Sequence, residues 1–213
     1  QASGLAYATT PMDKSLLSED HPAFLGMYNG KRSTPESLQS IVEGADLLID
    51  LGGLVQEDLN TGLWSGSLNP NRIISVHADW VQAGHQVFTS VSISDVLVGL
   101  TTRFQKASKH LFCWGKDRSV QPASLLPLSE VNEAPTSSMS FYPQLQQFLR
   151  PSDLLVSDTG TCLLKLNAIR LPAGVAMESQ TLWSSIGWGT PAALGCALAE
   201  PERRVVLVTG DGA

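Results

Sequence analysis

Cysteine is scarce in this chain and shows no organisation. Three occur among 213 residues, at Cys113, Cys162 and Cys196. An odd count with no zinc-like spacing and no disulfide framework points to a reducing, cytoplasmic setting. Long apolar runs are missing as well. None approaches the roughly 20 residues needed to cross a bilayer, so no membrane partner is expected. Basic residues are in deficit: 14 Lys and Arg stand against 20 Asp and Glu, for a net charge of −6. With no basic stripe, nucleic acid is not the expected partner. The four histidines, His21, His77, His85 and His110, are too dispersed for a ligand set. The dinucleotide pattern G-x-G-x-x-G is absent, although Gly52-Gly53 follows an apolar run. A serine nucleophile elbow fails because Leu182 stands where the first glycine of G-x-S-x-G would be. There is no internal repeat, no signal peptide and no initiator methionine, and the chain is expected to be a piece of a longer protein.

What is present is the pattern of an ordinary globular protein, 43% hydrophobic and 16% charged. Residues 1–32 are loop-rich. Thr34 as N-cap, Pro35 and Glu36 then open a helix whose Leu38, Ile41, Val42 and Ala45 share one face. Leu47–Leu51 and Arg72–His77 read as strands, and Ser94 as the cap of a helix facing inward through Val96, Leu97 and Leu100. From Lys116 to Ser140 prolines and serines replace large apolar residues, as in an interdomain linker. Beyond it a helix is expected over Phe141–Arg150, with Phe141, Leu145, Phe148 and Leu149 on one side, then a strand over Asp153–Ser157 and a helix over Cys162–Ile169. A small-residue helix, Pro191–Ala199, precedes the strand Val205–Thr209. Strands alternating with helices imply an α/β fold of two parallel-sheet, Rossmann-like domains, both expected to be truncated. The division is 1–115, a linker at 116–140, and 141–213.

The terminal strand is unbroken and apolar, as in a buried parallel strand, and Gly210-Asp211-Gly212 follows it. Ligands of open α/β sheets bind beyond the carboxyl ends of the strands. A carboxylate between two glycines at that edge suits a magnesium ion clamped on a diphosphate. Two more loops lie near strand ends: Asp158-Thr159-Gly160-Thr161 and Leu182-Trp183-Ser184-Ser185-Ile186-Gly187. In this order and spacing, the three loops resemble the cofactor-binding domain of thiamine diphosphate enzymes, within them the pyruvate and indolepyruvate decarboxylase group. Upstream, Ala8-Thr9-Thr10-Pro11-Met12-Asp13-Lys14, His21-Pro22 and Tyr28-Asn29-Gly30 resemble the middle domain of that group.

The resemblance implies thiamine diphosphate and Mg2+ as cofactors and non-oxidative decarboxylation of a small 2-oxo acid. It implies a homo-oligomer, dimer or tetramer, with the cofactor between subunits. The cofactor-binding residues it implies are Asp158, Thr159, Gly160, Thr161, Ser184, Ser185, Ile186, Gly210, Asp211, Gly212 and Ala213, with Asp211 as metal ligand. The Ser184 carbonyl would meet the pyrimidine amino group, and Ile186 would wedge the two rings apart. The glutamate that protonates the pyrimidine belongs to an amino-terminal domain, so no catalytic side chain is expected in this chain, and the chain alone is expected to be inactive. Ser184 departs from the glycine most relatives carry there, and Ala213 from a frequent serine. A backbone carbonyl needs no glycine, so Ser184 is expected to be tolerated. Trp183 and Trp188 are expected to pack in the core. Two alternatives remain: a carboligating relative resembling acetolactate synthase, and a non-catalytic nucleotide-binding module using Gly52-Gly53 or Gly210-Asp211-Gly212.

Overall fold

The computed structural model describes residues 5–53, 59–106 and 137–213. Most of the expected linker therefore lies outside the described residues. The first unit opens with β1 (Tyr7–Thr9) and β2 (Phe24–Met27), a two-stranded parallel sheet. Helix α1 (Ser37–Gly44) buries Leu38 completely and lays Ile41 and Val42 against the same small core. It begins two residues later than expected. Thr34 is not its cap, because its backbone exchanges two 2.9 Å hydrogen bonds with Met27 and so belongs to the edge of β2.

The second sheet of this unit contains β3 (Leu48–Leu51), β4 (Ile73–Val76), β5 (Trp80–Ala83) and β6 (Gln86–Thr89), in that order. The β3/β4 pair is parallel, as alternating strands and helices imply, whereas β4/β5 and β5/β6 are antiparallel hairpins. Helix α2 (Ile93–Lys106) follows. Its cap is Ser92 rather than Ser94: the Ser92 hydroxyl accepts from the Asp95 N–H at 3.1 Å and donates to the Asp95 carboxylate at 2.7 Å. The polar loop around Asn60-Thr61-Gly62 is buried, and the Asn60 Oδ1 accepts from the Met12 N–H at 3.1 Å.

The second unit holds the larger core. Helix α3 (Ser138–Phe148) starts three residues before its expected position because Ser137 and Ser140 form a capping box. Its buried face is Tyr142, Leu145, Gln146 and Leu149, not the face carrying Phe141 and Phe148, which are exposed. Gln146 can be buried because its amide donates to the Arg170 carbonyl. Phe148 is retained outside as a platform for the Arg204 guanidinium, 4.5 Å from the ring centre. Strand β7 (Leu154–Ser157) is buried along its whole length and is the middle strand of a parallel sheet, flanked by β8 (Ala176–Ser179) and β9 (Val205–Val208). Helix α4 (Thr161–Ala168) connects β7 towards β8, and α5 (Gly189–Ala199) precedes β9. Leu155, Leu163, Leu166 and Leu171 are almost fully enclosed in the core between sheet and helices. Each such side chain contributes about 1.5–3 kcal/mol through burial.

At the amino end of this sheet, Arg204 grips Asp153 with Nε at 2.9 Å and a second hydrogen bond from Nη2. Those hydrogen bonds hold the Asp153 carboxyl below its ordinary value of 3.8, with burial opposing them. A depressed folded-state pKa contributes stability that is present above the unfolded value and is lost as pH falls through the folded one. Acid titration of stability should therefore show a loss below pH 3.8 in the wild type. Asp153→Asn should be less stable at neutral pH and lack that component of the acid loss. Identical acid limbs in the two proteins would contradict this assignment.

Candidate functional site at the carboxyl edge of the second sheet

Register places three chain exits side by side. Ser157 pairs with Ser179 on one flank and with Val208 on the other, so the loops after β7, β8 and β9 leave from one edge. Asp158 joins them. Its side chain is fully enclosed, and Oδ1 accepts from the Thr159 N–H at 2.7 Å and the Gly187 N–H at 3.1 Å. Oδ2 accepts from the N–H groups of Gly187 and Gly189, both at 3.2 Å, with the Thr209 hydroxyl at 3.5 Å. One carboxylate thus ties the Asp158–Thr161 loop to the residue after Ile186, to the first turn of α5, and to the residue two before Asp211. Glycine at 189 eases this approach: a Cβ there would stand 3.0 Å from the Asp158 Cβ and 3.1 Å from both Oδ2 and Leu207, so the neighbours would have to give way.

The Thr159 hydroxyl donates to the Gln180 carbonyl at 3.2 Å, and the Gln180 side chain accepts from the Trp183 N–H at 2.8 Å. Gly160 is the N-cap of α4 with φ 136° and ψ −158°, a conformation essentially restricted to glycine. No side chain caps α4 there, and nothing lies within 4 Å of where a Gly160 Cβ would be. The positive end of α4 is therefore open to an anion approaching Gly160 and the exposed Thr161. Cys162 is buried, its thiol 3.2 Å from the Asp158 carbonyl. Gly210, Asp211, Gly212 and Ala213 form an exposed turn closed by a 3.3 Å hydrogen bond from the Ala213 N–H to the Gly210 carbonyl.

Two expectations change at the middle loop. Trp183 is 78% exposed, so it is not a core residue; Trp188 is half-buried as the N-cap of α5. Ser184 has φ 49°, in the left-handed region, so the position is one where glycine sits without strain. Ser184→Gly is expected to raise stability by about 0.5 kcal/mol, the relieved strain exceeding the added chain entropy. Chemical denaturation of the two proteins checks this, and a less stable variant would contradict it. Ile186 is 69% exposed and Ser185 is exposed beside it. The bracing residues Gln180, Gly187, Gly189 and Thr209 were not among the site residues expected from the sequence, although Gly187 ends the second loop motif and Thr209 the terminal strand. The available signal was Asp158 itself, a carboxylate directly after a largely apolar strand, which needs donors from elsewhere if it is buried.

The donor set fits a diphosphate and a hard cation. Thr159 and Thr161 carry hydroxyls, Gly160, Gly210 and Gly212 leave their backbone unobstructed, and Asp211 presents an exposed carboxylate. Among the described residues no group of three metal-ligating side chains occurs, so Asp211 would share an ion with phosphate oxygens and further ligands. None of the described helices is long and apolar enough to cross a membrane.

An α/β unit with an open helix terminus and carboxylate-braced loops at the carboxyl ends of its parallel strands fits a domain that holds a phosphate-bearing cofactor. Comparison with known families is specific: residues 1–97 match the central domain of thiamine pyrophosphate enzymes, and residues 158–213 match their C-terminal TPP binding domain. The two matches together span well over half of the chain, and the chain belongs to the thiamine pyrophosphate enzyme family. It is 34% identical over 212 residues to a pyruvate decarboxylase of Kluyveromyces lactis, covering 95% of this chain and 36% of that protein. An alpha-keto-acid decarboxylase of Mycolicibacterium paratuberculosis is 35% identical over 210 residues, 97% of this chain and 36% of its own length. Pyruvate decarboxylase isozyme 1 of Saccharomyces cerevisiae is 34% identical over 212 residues, with 95% and 36% covered. The chain thus spans about 36% of the length of these relatives.

Proposed function

We propose that the full-length protein carrying this chain is a thiamine diphosphate- and Mg2+-dependent decarboxylase that converts a 2-oxo acid such as pyruvate or indolepyruvate to an aldehyde and carbon dioxide. The observation that carries this reading is one buried carboxylate, that of Asp158, holding three loops around an open helix terminus in a chain of this family. When bound, thiamine diphosphate supplies the nucleophilic carbon and the electron sink for loss of carbon dioxide. The residues of this chain bind and orient. The open N-terminus of α4, with Gly160 and the Thr161 hydroxyl, receives the diphosphate. Asp211 holds the Mg2+ that neutralises it. The Ser184 carbonyl would accept from the pyrimidine amino group, and the exposed Ile186 would support the cofactor by apolar contact. Thr159 is turned to Gln180 and braces the cradle more than it contacts the ligand. Asp158, with its oxygens spent on loop N–H groups, is a positioning residue rather than a direct ligand.

The cradle is open on the side of Trp183 and Ile186, which are 78% and 69% exposed. A second subunit covering these apolar side chains would exclude water from the cofactor, which supports a homo-oligomer. The test is a carbon dioxide release assay on the full-length protein with pyruvate, branched-chain and aromatic 2-oxo acids, at saturating thiamine diphosphate and Mg2+. Cofactor-dependent release with aldehyde formation is expected. Formation of a carboligated acid instead of aldehyde, or no dependence on thiamine diphosphate, would overturn the reading. The 213-residue chain alone is expected to be inactive in the same assay.

A further inference from the structure

Outside the cofactor edge, the most unusual group of side chains lies where the two units meet. Lys14 and Glu19 are both ionisable, both from the loop between β1 and β2, and both almost completely buried, with side chains 3% and 2% exposed. Such burial is tolerated only when the charges are paired and their remaining hydrogen-bonding capacity is used. Here the partners come from the other unit. The Lys14 ammonium contacts Glu19 Oε1 at 2.9 Å and Oε2 at 3.3 Å, and donates to the Ile169 carbonyl at 2.8 Å. Glu19 Oε2 also accepts from the Leu171 N–H at 2.8 Å. Arg170 reaches back to the Glu19 carbonyl at 2.8 Å and to the Asp20 carboxylate at 3.3 Å. Ser15, in the same loop, accepts from the Met177 N–H at 2.7 Å.

These contacts fall on two elements, and both run to the cofactor edge. Ile169 is the C-cap of α4, so Lys14 places a cation at the negative end of a helix whose other end is the Gly160-Thr161 cradle. Eight residues of helix span only about 12 Å and transmit position as a rod. Met177 lies at the start of β8, and β8 runs straight to Gln180, the residue that accepts from Thr159 and holds Trp183. We propose that the Lys14–Glu19 pair and Ser15 form an interdomain latch through which the central domain sets the position of the cofactor cradle at the far end of α4 and β8. Lys14, Glu19 and Ser15 are positioning residues in this role. The inference rests on the cofactor reading above for its consequence, but the latch has its own readout.

The experiment is amide hydrogen exchange on the full-length protein, with and without thiamine diphosphate and Mg2+. Coupling between two sites is reciprocal, so a cofactor bound at the carboxyl edge must tighten the latch. Exchange at the Leu171 and Met177 amides is expected to slow by about tenfold on cofactor addition. Unchanged exchange there, while the Gly187 and Gly189 amides become protected, overturns the proposal. The second arm is Lys14→Met combined with Glu19→Leu, which removes both charges and leaves no unpaired ion. This variant is expected to keep a cooperative fold yet bind thiamine diphosphate about tenfold more weakly. Wild-type affinity in a folded double variant overturns the proposal. If wild type shows no cofactor protection anywhere, the cofactor reading has failed rather than the latch. The latch is then judged by the Gly187 and Gly189 amides alone, which should exchange faster in the double variant than in wild type; equal rates overturn it.

Discussion

Asp158→Ala is expected to abolish thiamine diphosphate binding and to lower stability by about 3 kcal/mol. Both effects follow from one geometry. The carboxylate accepts from three backbone N–H groups, those of Thr159, Gly187 and Gly189, and lies beside the Thr209 hydroxyl. Truncation leaves these donors without their acceptor around an enclosed void, and each buried unsatisfied donor costs about 1–3 kcal/mol. Water can enter from the open edge and restore part of the loss, which is why the expected total is nearer the low end of the sum. Without the brace, the loops after β7 and β8 and the start of α5 no longer share a reference point. Asp158→Asn separates shape from charge. It keeps one oxygen for Thr159 and Gly187 but turns an amide NH2 against the Gly189 N–H, so an intermediate loss of stability is expected. Denaturant unfolding and cofactor titration of the full-length variants measure both quantities. Wild-type cofactor affinity in Asp158→Ala would show that the three loops are held by something else.

The contrast between Asp158 and Lys14 shows what the sequence could reveal and what it could not. Strands β7 and β9 were legible because Leu154–Val156 and Val205–Val208 are unbroken apolar runs, the pattern of strands buried on both faces. Their exits, and hence the positions of the first and third loops, followed. Strand β8 was not anticipated, because Ala176–Ser179 carries an exposed Glu178 at the sheet margin and reads as polar. The hairpin of β5 and β6 was missed although Gly84, with φ 58°, lies between two alternating segments, which is a hairpin signal. The face of α3 was assigned to Phe141, Leu145, Phe148 and Leu149, of which the two leucines are buried and the two aromatics are not. Tertiary structure instead buried Tyr142 and Gln146 and used Phe148 under Arg204. The latch left no trace in periodicity: Lys14 and Glu19 stand in a polar loop, and only the docking of the second unit buries them.

Asp211→Ala is expected to remove cofactor retention as completely as Asp158→Ala, but with no loss of stability. Asp211 sits in an exposed turn, and the turn is closed by backbone, from Ala213 to Gly210. Exposed substitutions of this kind change stability by less than about 0.5 kcal/mol. The expected loss of binding comes from chemistry. Mg2+ takes hard oxygen ligands and is held by one or two carboxylates together with phosphate oxygens, so the Asp211 carboxylate is a large share of what the protein contributes. Even residues that only support a metal ligand cost about 10- to 100-fold in metal affinity when replaced, and a direct ligand should cost at least the upper figure. Asp211→Asn keeps the shape and one neutral oxygen but removes the charge, so it should retain little more cofactor than the alanine variant. Gel filtration of the full-length protein after loading with thiamine diphosphate and Mg2+, followed by quantification of retained cofactor, reads the effect directly. Equal occupancy in wild type and Asp211→Ala would remove Asp211 from the metal site. A parallel loss of stability in Asp211→Ala would instead assign it the bracing role that the structure gives to Asp158. Retention lost in both variants, with stability lost only in Asp158→Ala, is the result that separates the residue that touches the cofactor's metal from the residue that holds the cradle in shape.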